Sequence, residues 1–347
     1  MNPLLVYSNY GFGSYSSYSA LSNYVSSCKV LSAQRREPSS IVAKIINRAV
    51  RSFSTSRWYR TSSLQLEWTL LQQLRVGKTD LVHFLWAERD LGYFPLVKSS
   101  DAIPLCCTFH ACPDDLPQIL GFKRRLQSLD AVIIMSETQR AFFESSGVPS
   151  HKIHFIPHGI DTNFFTPAKN EKTADEFIVL SVGSYRRNFP LLREVASKLK
   201  QYQKIKIKVV GAQVFSSYFS DLDNVEVMNG LTDLQLLATY QSSSCLVLAI
   251  KNATANNALL EGIACGLPVI TERVGGIPEY VNEACAMLID SGNANQMAQA
   301  IIELFQCQLT QNQMAKAARE RALELSWVKT AMKTEELYAS LACSTGR

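Results

Sequence analysis

Short apolar runs alternate with helix-length amphipathic segments along the whole chain. The runs are apolar from end to end, which is typical of parallel strands covered on both faces of a sheet. Two successive sets of such βα units predict an α/β fold with two doubly wound, Rossmann-like domains. The predicted strands are residues 3–8, 28–33, 80–85, 104–109, 131–135 and 153–156 in the first half, and 177–183, 205–211, 224–228, 245–250, 268–271 and 286–289 in the second.

The chain has 347 residues, a length that suits two domains. The boundary is predicted after residue 167, in the segment TPAKNEKTADE, which is polar and contains a proline. The two domains are therefore predicted at 1–167 and 168–326. No strand is predicted near the C-terminus, and a terminal helix within 327–347 is expected to pack back across the domain junction.

Ligands of open parallel sheets bind beyond the carboxyl ends of the strands, so the residues that follow each strand are candidates for a site. The strand at 245–250 is followed by a loop with Asn256 and Asn257, and then by a helix whose first amides can hold an anion. Glu261 is an acid in this otherwise apolar helix. It is either an acceptor for ligand hydroxyls or a solvated surface acid.

Two further strand ends carry residues suited to a diphosphate and a sugar. Paired glycines, which let the backbone approach a ligand closely, and an acid follow one strand. A glycine and two arginines, which can clamp a phosphate, end another. These residues are Gly275, Gly276 and Glu279, and Gly183, Arg186 and Arg187. Together the strand ends predict one crevice that binds a diphosphate through amides and arginine.

Three segments carry motifs of a known family: IPHGIDTNFFTP, ALLEGIACGLPVITERVGGIPEYV and SWVKTAMKTEELY. They resemble glycosyltransferase family 4, strongly over about 131–290 and again at 326–340, and only weakly before residue 131. The resemblance implies the GT-B arrangement, in which two Rossmann-like domains face each other across a cleft. The N-terminal domain would bind the acceptor and the C-terminal domain a nucleotide-sugar. The sugar would be transferred with retention of configuration.

The resemblance assigns roles in the second half of the chain. Glu261 matches the second Glu of the family's Glu-seven-residues-Glu motif, which binds the nucleotide ribose. The first Glu, which contacts the donor sugar in the family, is replaced by Ala253. Sugar recognition must therefore differ here, and backbone amides or the side chains of Asn256 and Asn257 are the expected substitutes.

The residues that bind the donor diphosphate in the family also differ in this sequence. Ser184 occupies the position of the usual arginine and no lysine follows, so Arg186 and Arg187 are predicted to take over. The resemblance implies front-face attack without a protein nucleophile, with positioning and charge stabilisation as the protein's contribution. No metal and no cofactor are expected, and the Asp-x-Asp at 221–223 is interpreted as a loop. Closure about the PHGID turn, which contains His158, would exclude water.

In the first half, Gly11 and Gly13 resemble the family's glycine loop near the donor diphosphate. His110 matches a family position near the donor sugar and is a candidate catalytic residue; the alternative is a histidine that caps its strand through backbone hydrogen bonds. Without the family, GFGSYS is an incomplete dinucleotide fingerprint. Arg35 and Arg36 keep an NADP enzyme as a remote alternative.

The net charge of +5 arises entirely from the first half of the chain, because residues 168–347 carry as many acids as bases. The segment IVAKIINRAVRSF, residues 41–53, has its apolar residues on one side of a helix and Lys44, Arg48 and Arg51 on another. It is either a helix that covers the sheet with a solvated basic face, or a surface for anionic lipid or a phosphorylated acceptor. Nucleic acid is not expected, because no aromatic platform accompanies the charge.

Nine cysteines without a CxxC pair, mostly in apolar runs, indicate a reduced protein. No apolar stretch approaches the length of a membrane span. The sequence therefore predicts a cytoplasmic enzyme of glycan biosynthesis, peripheral on the inner face of a membrane, with a glycan or lipid-linked acceptor. The competing hypothesis is a catalytically silent family member that binds a nucleotide-sugar or a membrane partner.

Overall fold

The computed structural model describes residues 1–9, 15–34, 40–97, 103–121, 123–169, 176–211 and 213–344. The chain divides into two compact units, Met1–His158 with Trp327–Arg347, and Gly159–Ser326. The division therefore lies inside the PHGID turn and not after residue 167. Within the polar segment used to predict the boundary, residues 170–175 lie outside the described part of the chain.

The residues that follow the turn belong to the second unit because they pack into its core. Ile160 and Phe165 are both buried there, and the Ile160 amide donates to the carbonyl of Leu325 at 3.0 Å. Arg319 donates to the carbonyl of Phe165 at 2.9 Å. The apolar residues of IPHGIDTNFF thus determine the boundary, and the polar segment after them does not.

The first unit contains a six-stranded parallel sheet. Its strands are β1 (Pro3–Asn9), β2 (Lys29–Gln34), β3 (Leu81–Phe84), β4 (Leu105–Phe109), β5 (Ala131–Ile134) and β6 (Ile153–Phe155), in the order β2-β1-β3-β4-β5-β6. Its helices are α1 (Ile41–Ser52), α2 (Thr61–Val76), α3 (Ala87–Asp90), α4 (Phe94–Val97), α5 (Leu116–Ile119), α6 (Lys123–Gln127) and α7 (Arg140–Ser145).

The second unit repeats this plan. Its strands are β7 (Phe177–Val182), β8 (Ile205–Val210), β9 (Val225–Met228), β10 (Cys245–Leu248), β11 (Val269–Glu272) and β12 (Ala286–Ile289), in the order β12-β11-β10-β7-β8-β9. Its helices are α8 (Phe189–Leu199), α9 (Asp233–Ser242), α10 (Asn257–Ala264), α11 (Ile277–Tyr280), α12 (Ala294–Gln306) and α13 (Gln308–Glu324). All residues of β7, β10 and β11 are buried, as expected for parallel strands covered on both faces of a sheet.

The predicted α/β fold with two doubly wound sheets is confirmed. All twelve predicted strands are present, with ends within two residues of their predicted positions. The terminal helix α14 (Trp327–Ser344) belongs to the first unit. There the Tyr338 hydroxyl lies 2.6 Å from Nδ1 of His83 on β3, and the Thr330 hydroxyl donates to the carbonyl of Pro157 at 3.1 Å.

The amphipathic segment 41–53 forms α1, but its apolar side is exposed. The interpretation of a helix that covers the sheet with its apolar residues is wrong, because Ile41 is 77% exposed and Ile45 63%. Asn47 is the buried residue of this helix, and its Oδ1 accepts a hydrogen bond from the Thr61 amide at 2.7 Å. Within the described residues, no helix is both long enough and apolar enough to cross a bilayer.

Candidate functional site

The carboxyl ends of β7, β10 and β11 lie side by side in the second sheet, and the strand order reverses between β7 and β10. Ligands of doubly wound sheets bind in the crevice at this point. The loops after the three strands are joined by hydrogen bonds. The Asn188 amide donates to the carbonyl of Ala249 at 2.8 Å, and the Gly276 amide to that of Ala253 at 2.8 Å. The fold therefore brings together the three segments that follow these strands.

Arg187 is reached from β7 through a turn that begins at Gly183. Gly183 has a φ of 98°, and a Cβ there would lie 2.7 Å from Nη2 of Arg187, so the turn requires glycine. Nε and Nη2 of Arg187 both donate to the carbonyl of Val182, at 2.9 and 2.5 Å. Burial lowers the pKa of Arg187 to about 10, which leaves it a cation at neutral pH. The side chain is thus a half-buried positive charge in a fixed orientation.

Arg186, which is predicted to act together with Arg187, lies in the same turn and contacts the Tyr185 side chain. Its φ is 53°, and its carbonyl accepts a hydrogen bond from the Lys251 amide at 3.0 Å. Its guanidinium carbon lies 5.9 Å from the centroid of the Tyr185 ring, which is 67% exposed. Nη2 of Arg187 lies 3.5 Å from Oδ1 of Asn256, the residue that caps α10.

Glu261 is buried in α10, with 5% of its surface exposed, so the alternative of a solvated surface acid is wrong. Its Oε2 accepts a hydrogen bond from the hydroxyl of Tyr240, which lies on α9, at 2.7 Å. Burial and the charge of Glu261 raise the pKa of Tyr240, so the tyrosine remains the donor. At the start of the same helix, Oδ1 of Asn256 accepts from the Leu259 amide at 3.1 Å, and Asn257 is the first helical residue. The helix therefore presents a capped N-terminus and, one turn further, a buried acid.

At Gly275 the backbone of the loop after β11 packs closely against the backbone of the loop after β10. The φ of Gly275 is 51°, and a Cβ there would lie 2.2 Å from the carbonyl oxygen of Ala253. The neighbouring Gly276 is the N-cap residue of α11. Glu279 is half-buried in α11, and its carbonyl accepts from Nη2 of Arg321 at 2.8 Å. The predicted glycine pair thus joins the β11 loop directly to the β10 loop.

Glu272 is a site residue that the sequence pattern did not reveal. It ends β11 and is 1% exposed. Its Oε2 accepts from the Ile250 amide at 2.7 Å, and its Oε1 from the Gly292 amide at 2.7 Å. The sequence signal for it is a charged residue at the carboxyl end of a short strand that is buried throughout. The carboxylate ties the loop after β10 to the loop after β12.

We expect Glu272→Ala to lower the free energy of unfolding by about 2 kcal/mol, because it leaves the buried amide of Ile250 and the half-buried amide of Gly292 without their acceptor. Donor binding should weaken as well, since the loop after β10 leads into α10. Thermal melting and nucleotide affinity measure the two effects. Glu283→Ala is the matched control, because the side chain of Glu283 is 88% exposed, and it should change neither quantity. Equal behaviour of the two variants would contradict the assigned role.

Of the site residues predicted in the first half of the chain, His110 lies within the residues that the structure describes. Gly11 and Gly13 lie outside the described residues, as do Arg35 and Arg36. His110 follows β4, and its Nε2 donates to the carbonyl of Leu85 at 2.8 Å.

His110 therefore has the backbone hydrogen bond of a strand-capping histidine. Burial, with a smaller contribution from His158, lowers its pKa to about 3, so the ring is neutral at physiological pH. Its amide donates to Oε1 of Glu88 at 2.9 Å, and burial raises the pKa of Glu88 to about 7. The catalytic role of His110 stays a prediction.

Two family models match the chain in succession. The model described as "Glycosyltransferase Family 4" matches residues 28–164, and the one described as "Glycosyl transferases group 1" matches residues 163–321.

Two curated relatives illustrate the likeness. D-inositol 3-phosphate glycosyltransferase from Corynebacterium aurimucosum is 22% identical over 286 residues, which cover 73% of this chain and 68% of that protein. A phosphatidylinositol N-acetylglucosaminyltransferase subunit from Arabidopsis thaliana is 26% identical over 231 residues, which cover 63% of this chain and 51% of that protein. The match thus spans about half the length of the plant relative.

Solved structures share the fold over nearly the full chain. Anabaena Alr3699/HepE in complex with UDP-glucose has a TM-score of 0.73 at 15% identity, covering 98% of this chain and 100% of that one. Sucrose-phosphate synthase from Thermosynechococcus elongatus has a TM-score of 0.72 at 17% identity, covering 99% and 100%. With two family models that together span both units, the chain belongs to glycosyltransferase family 4.

Proposed function

We propose that the protein transfers a sugar from a nucleotide-diphosphate donor to an acceptor, with retention of configuration. The observation that carries the proposal is the half-buried Arg187 beside the N-terminus of α10, with Glu261 buried in the same helix. A cation beside the N-terminus of a helix suits a diphosphate, and a carboxylate suits ribose hydroxyls. The related Anabaena structure contains UDP-glucose, which supports a nucleotide-sugar as the donor.

The proposed chemistry needs no protein nucleophile and no metal. Arg187 and the first amides of α10 stabilise the negative charge that develops on the leaving diphosphate. In front-face attack, the acceptor oxygen bonds to the anomeric carbon as the bond to the diphosphate breaks, and a leaving-group oxygen takes the acceptor's proton. Gly275 and Gly276 keep the backbone close to the donor, and Asn256 and Asn257 replace the missing acid at Ala253 in sugar recognition.

The acceptor is proposed to be anionic or lipid-linked, and the protein to be a cytoplasmic enzyme of glycan biosynthesis, peripheral to a membrane. The excess of positive charge in the first half of the chain supports an anionic acceptor. The names of two relatives also support it, because one refers to inositol 3-phosphate and the other to phosphatidylinositol.

A catalytically silent member that binds a nucleotide-sugar is the second candidate, and Ala253 favours it. Ala253 is 6% exposed, and its carbonyl accepts the Gly276 amide. No carboxylate stands at this position to contact the donor sugar. Binding through Glu261 and Arg187 is compatible with both candidates.

Nucleotide release from UDP-, GDP- and ADP-sugars, measured with inositol phosphates and phosphatidylinositol as acceptors, tests the proposal. We expect turnover with one donor class that persists in EDTA, and a loss of about a hundredfold in Glu261→Ala because the ribose loses its acceptor. Tyr240→Phe should lower turnover less than Glu261→Ala does, because it leaves the carboxylate in place. Binding without turnover for every donor would favour the silent member. Complete loss of turnover in EDTA would contradict the metal-free mechanism.

A further inference from the structure

The helix α1 carries a continuous exposed apolar stripe, which is unusual for a folded surface. Its members are spaced as one face of a helix, and each has at least half of its surface exposed. They are Ile41 (77%), Val42 (65%), Ile45 (63%) and Ile46 (50%), followed by Phe53 (66%) just after the helix. Single exposed apolar residues are ordinary, but five within one short segment indicate a surface that is covered in function.

A basic stripe runs along the edge of the apolar one. Lys44, Arg48 and Arg51 are exposed, and within the described part of the chain no ion pair engages their side chains. The helix itself contains no acidic residue. Three exposed cations next to an apolar stripe are complementary to a surface that is negative outside and apolar inside.

The first unit binds α1 by the side opposite the apolar stripe. Oδ1 of the buried Asn47 accepts from the Thr61 amide at 2.7 Å, and the Tyr93 hydroxyl donates to the carbonyl of Val50 at 2.5 Å. Just after the helix, Nη1 of Arg125 donates to the carbonyl of Phe53 at 2.8 Å. These polar contacts set the orientation of the helix, so the apolar stripe projects from the folded unit.

We propose that α1 is an interfacial membrane helix, which lies in the plane of an anionic bilayer with its apolar stripe among the acyl chains. Lys44, Arg48 and Arg51 then lie at the level of the lipid phosphates. With twelve residues the helix is about 18 Å long, too short to span a bilayer. This inference names the surface by which the protein would bind a membrane. It rests on the proposed function only for the reaction that the enzyme would catalyse there.

Flotation of the intact protein with vesicles tests the proposal. We expect recovery with phosphatidylcholine mixed with phosphatidylglycerol, and little with phosphatidylcholine alone. The double variant Ile45→Ser/Ile46→Ser should lower the partition coefficient more than tenfold, although its charge is unchanged. The variant Lys44→Gln/Arg48→Gln should lower it about fivefold for each cation removed. Leu309→Ser and Lys316→Gln are matched controls at exposed positions of the second unit, and should bind as the parent does.

Several outcomes would overturn the proposal. Absence of flotation with either vesicle would do so, and so would binding that both double variants retain. If salt abolished vesicle binding but Ile45→Ser/Ile46→Ser did not weaken it, the contact would be purely electrostatic, without insertion of the apolar stripe. A concentration-dependent dimer that this variant dissociates in the absence of lipid, seen by light scattering, would assign the stripe to a second copy of the chain. The assay contains no sugar donor, so its failure is distinct from failure of the proposed transfer.

Discussion

Replacing Arg187 by alanine is expected to lower kcat for nucleotide release about a thousandfold, the effect of losing a preorganised group that stabilises developing charge. The reason is that Arg187 is oriented before the donor arrives. Its two hydrogen bonds to the Val182 carbonyl hold the guanidinium beside α10, so no reorganisation is needed when the diphosphate becomes more negative. Because the charge of the diphosphate grows in the transition state, kcat should fall more than donor affinity.

Arg187→Lys separates charge from geometry. Lysine retains the positive charge but lacks the fork that bonds to Val182, so it should recover only part of the lost activity. Arg193→Ala is the matched control, because Arg193 lies on α8, where it pairs with the exposed Asp221 at 2.6 Å, and activity should be unchanged. Arg186→Ala tests which arginine carries the effect. A larger loss in Arg186→Ala than in Arg187→Ala would contradict the assignment.

The sheets could be predicted because their strands leave little ambiguity. A run such as FIVLSV in β7 is apolar on both faces, and only a strand covered on both sides buries all of it. The grouping of Gly183, Glu261 and Gly275 follows from the same reasoning, because neighbouring parallel strands end at one edge. The predicted domain boundary, after residue 167, lies later in the chain than the division after His158. A polar segment indicates a loop, but it does not indicate which core the residues before it pack into.

The side-chain partners in the site depend on tertiary contacts that no local pattern contains. Tyr240 bonds to Glu261 from a different helix, and Glu272 reaches amides at Ile250 and Gly292, on either side of its own strand. The orientation of α1 is a similar case. Its two stripes are visible in the sequence, but the hydrogen bonds of Asn47 with Thr61 and of Val50 with Tyr93 show which side faces the protein.

Gly275→Ala is expected to remove donor binding and to lower the free energy of unfolding of the second unit by about 4 kcal/mol. About 1–2 kcal/mol arises because an L residue is strained at a φ of 51°. The rest arises because the new Cβ would lie 2.2 Å from the Ala253 carbonyl oxygen and 2.3 Å from Oδ1 of Asn252. Relief of this overlap requires the loops after β10 and β11 to separate, which breaks the bond from Gly276 to Ala253.

Gly292→Ala isolates the contribution of backbone strain, so the difference between the two variants gives the steric contribution. Gly292 also has a positive φ, 76°, but a Cβ there meets no atom within 4 Å. Backbone strain alone should then cost about 1–2 kcal/mol, and the amide that bonds to Glu272 stays in place. The melting temperature should therefore be highest for the parent, lower for Gly292→Ala and lowest for Gly275→Ala. Of the two variants, Gly275→Ala alone should lose nucleotide affinity. If Gly275→Ala bound nucleotide as tightly as the parent, the loops after β10 and β11 would not form the donor site, because their contact at Gly275 could then be opened without loss of the ligand.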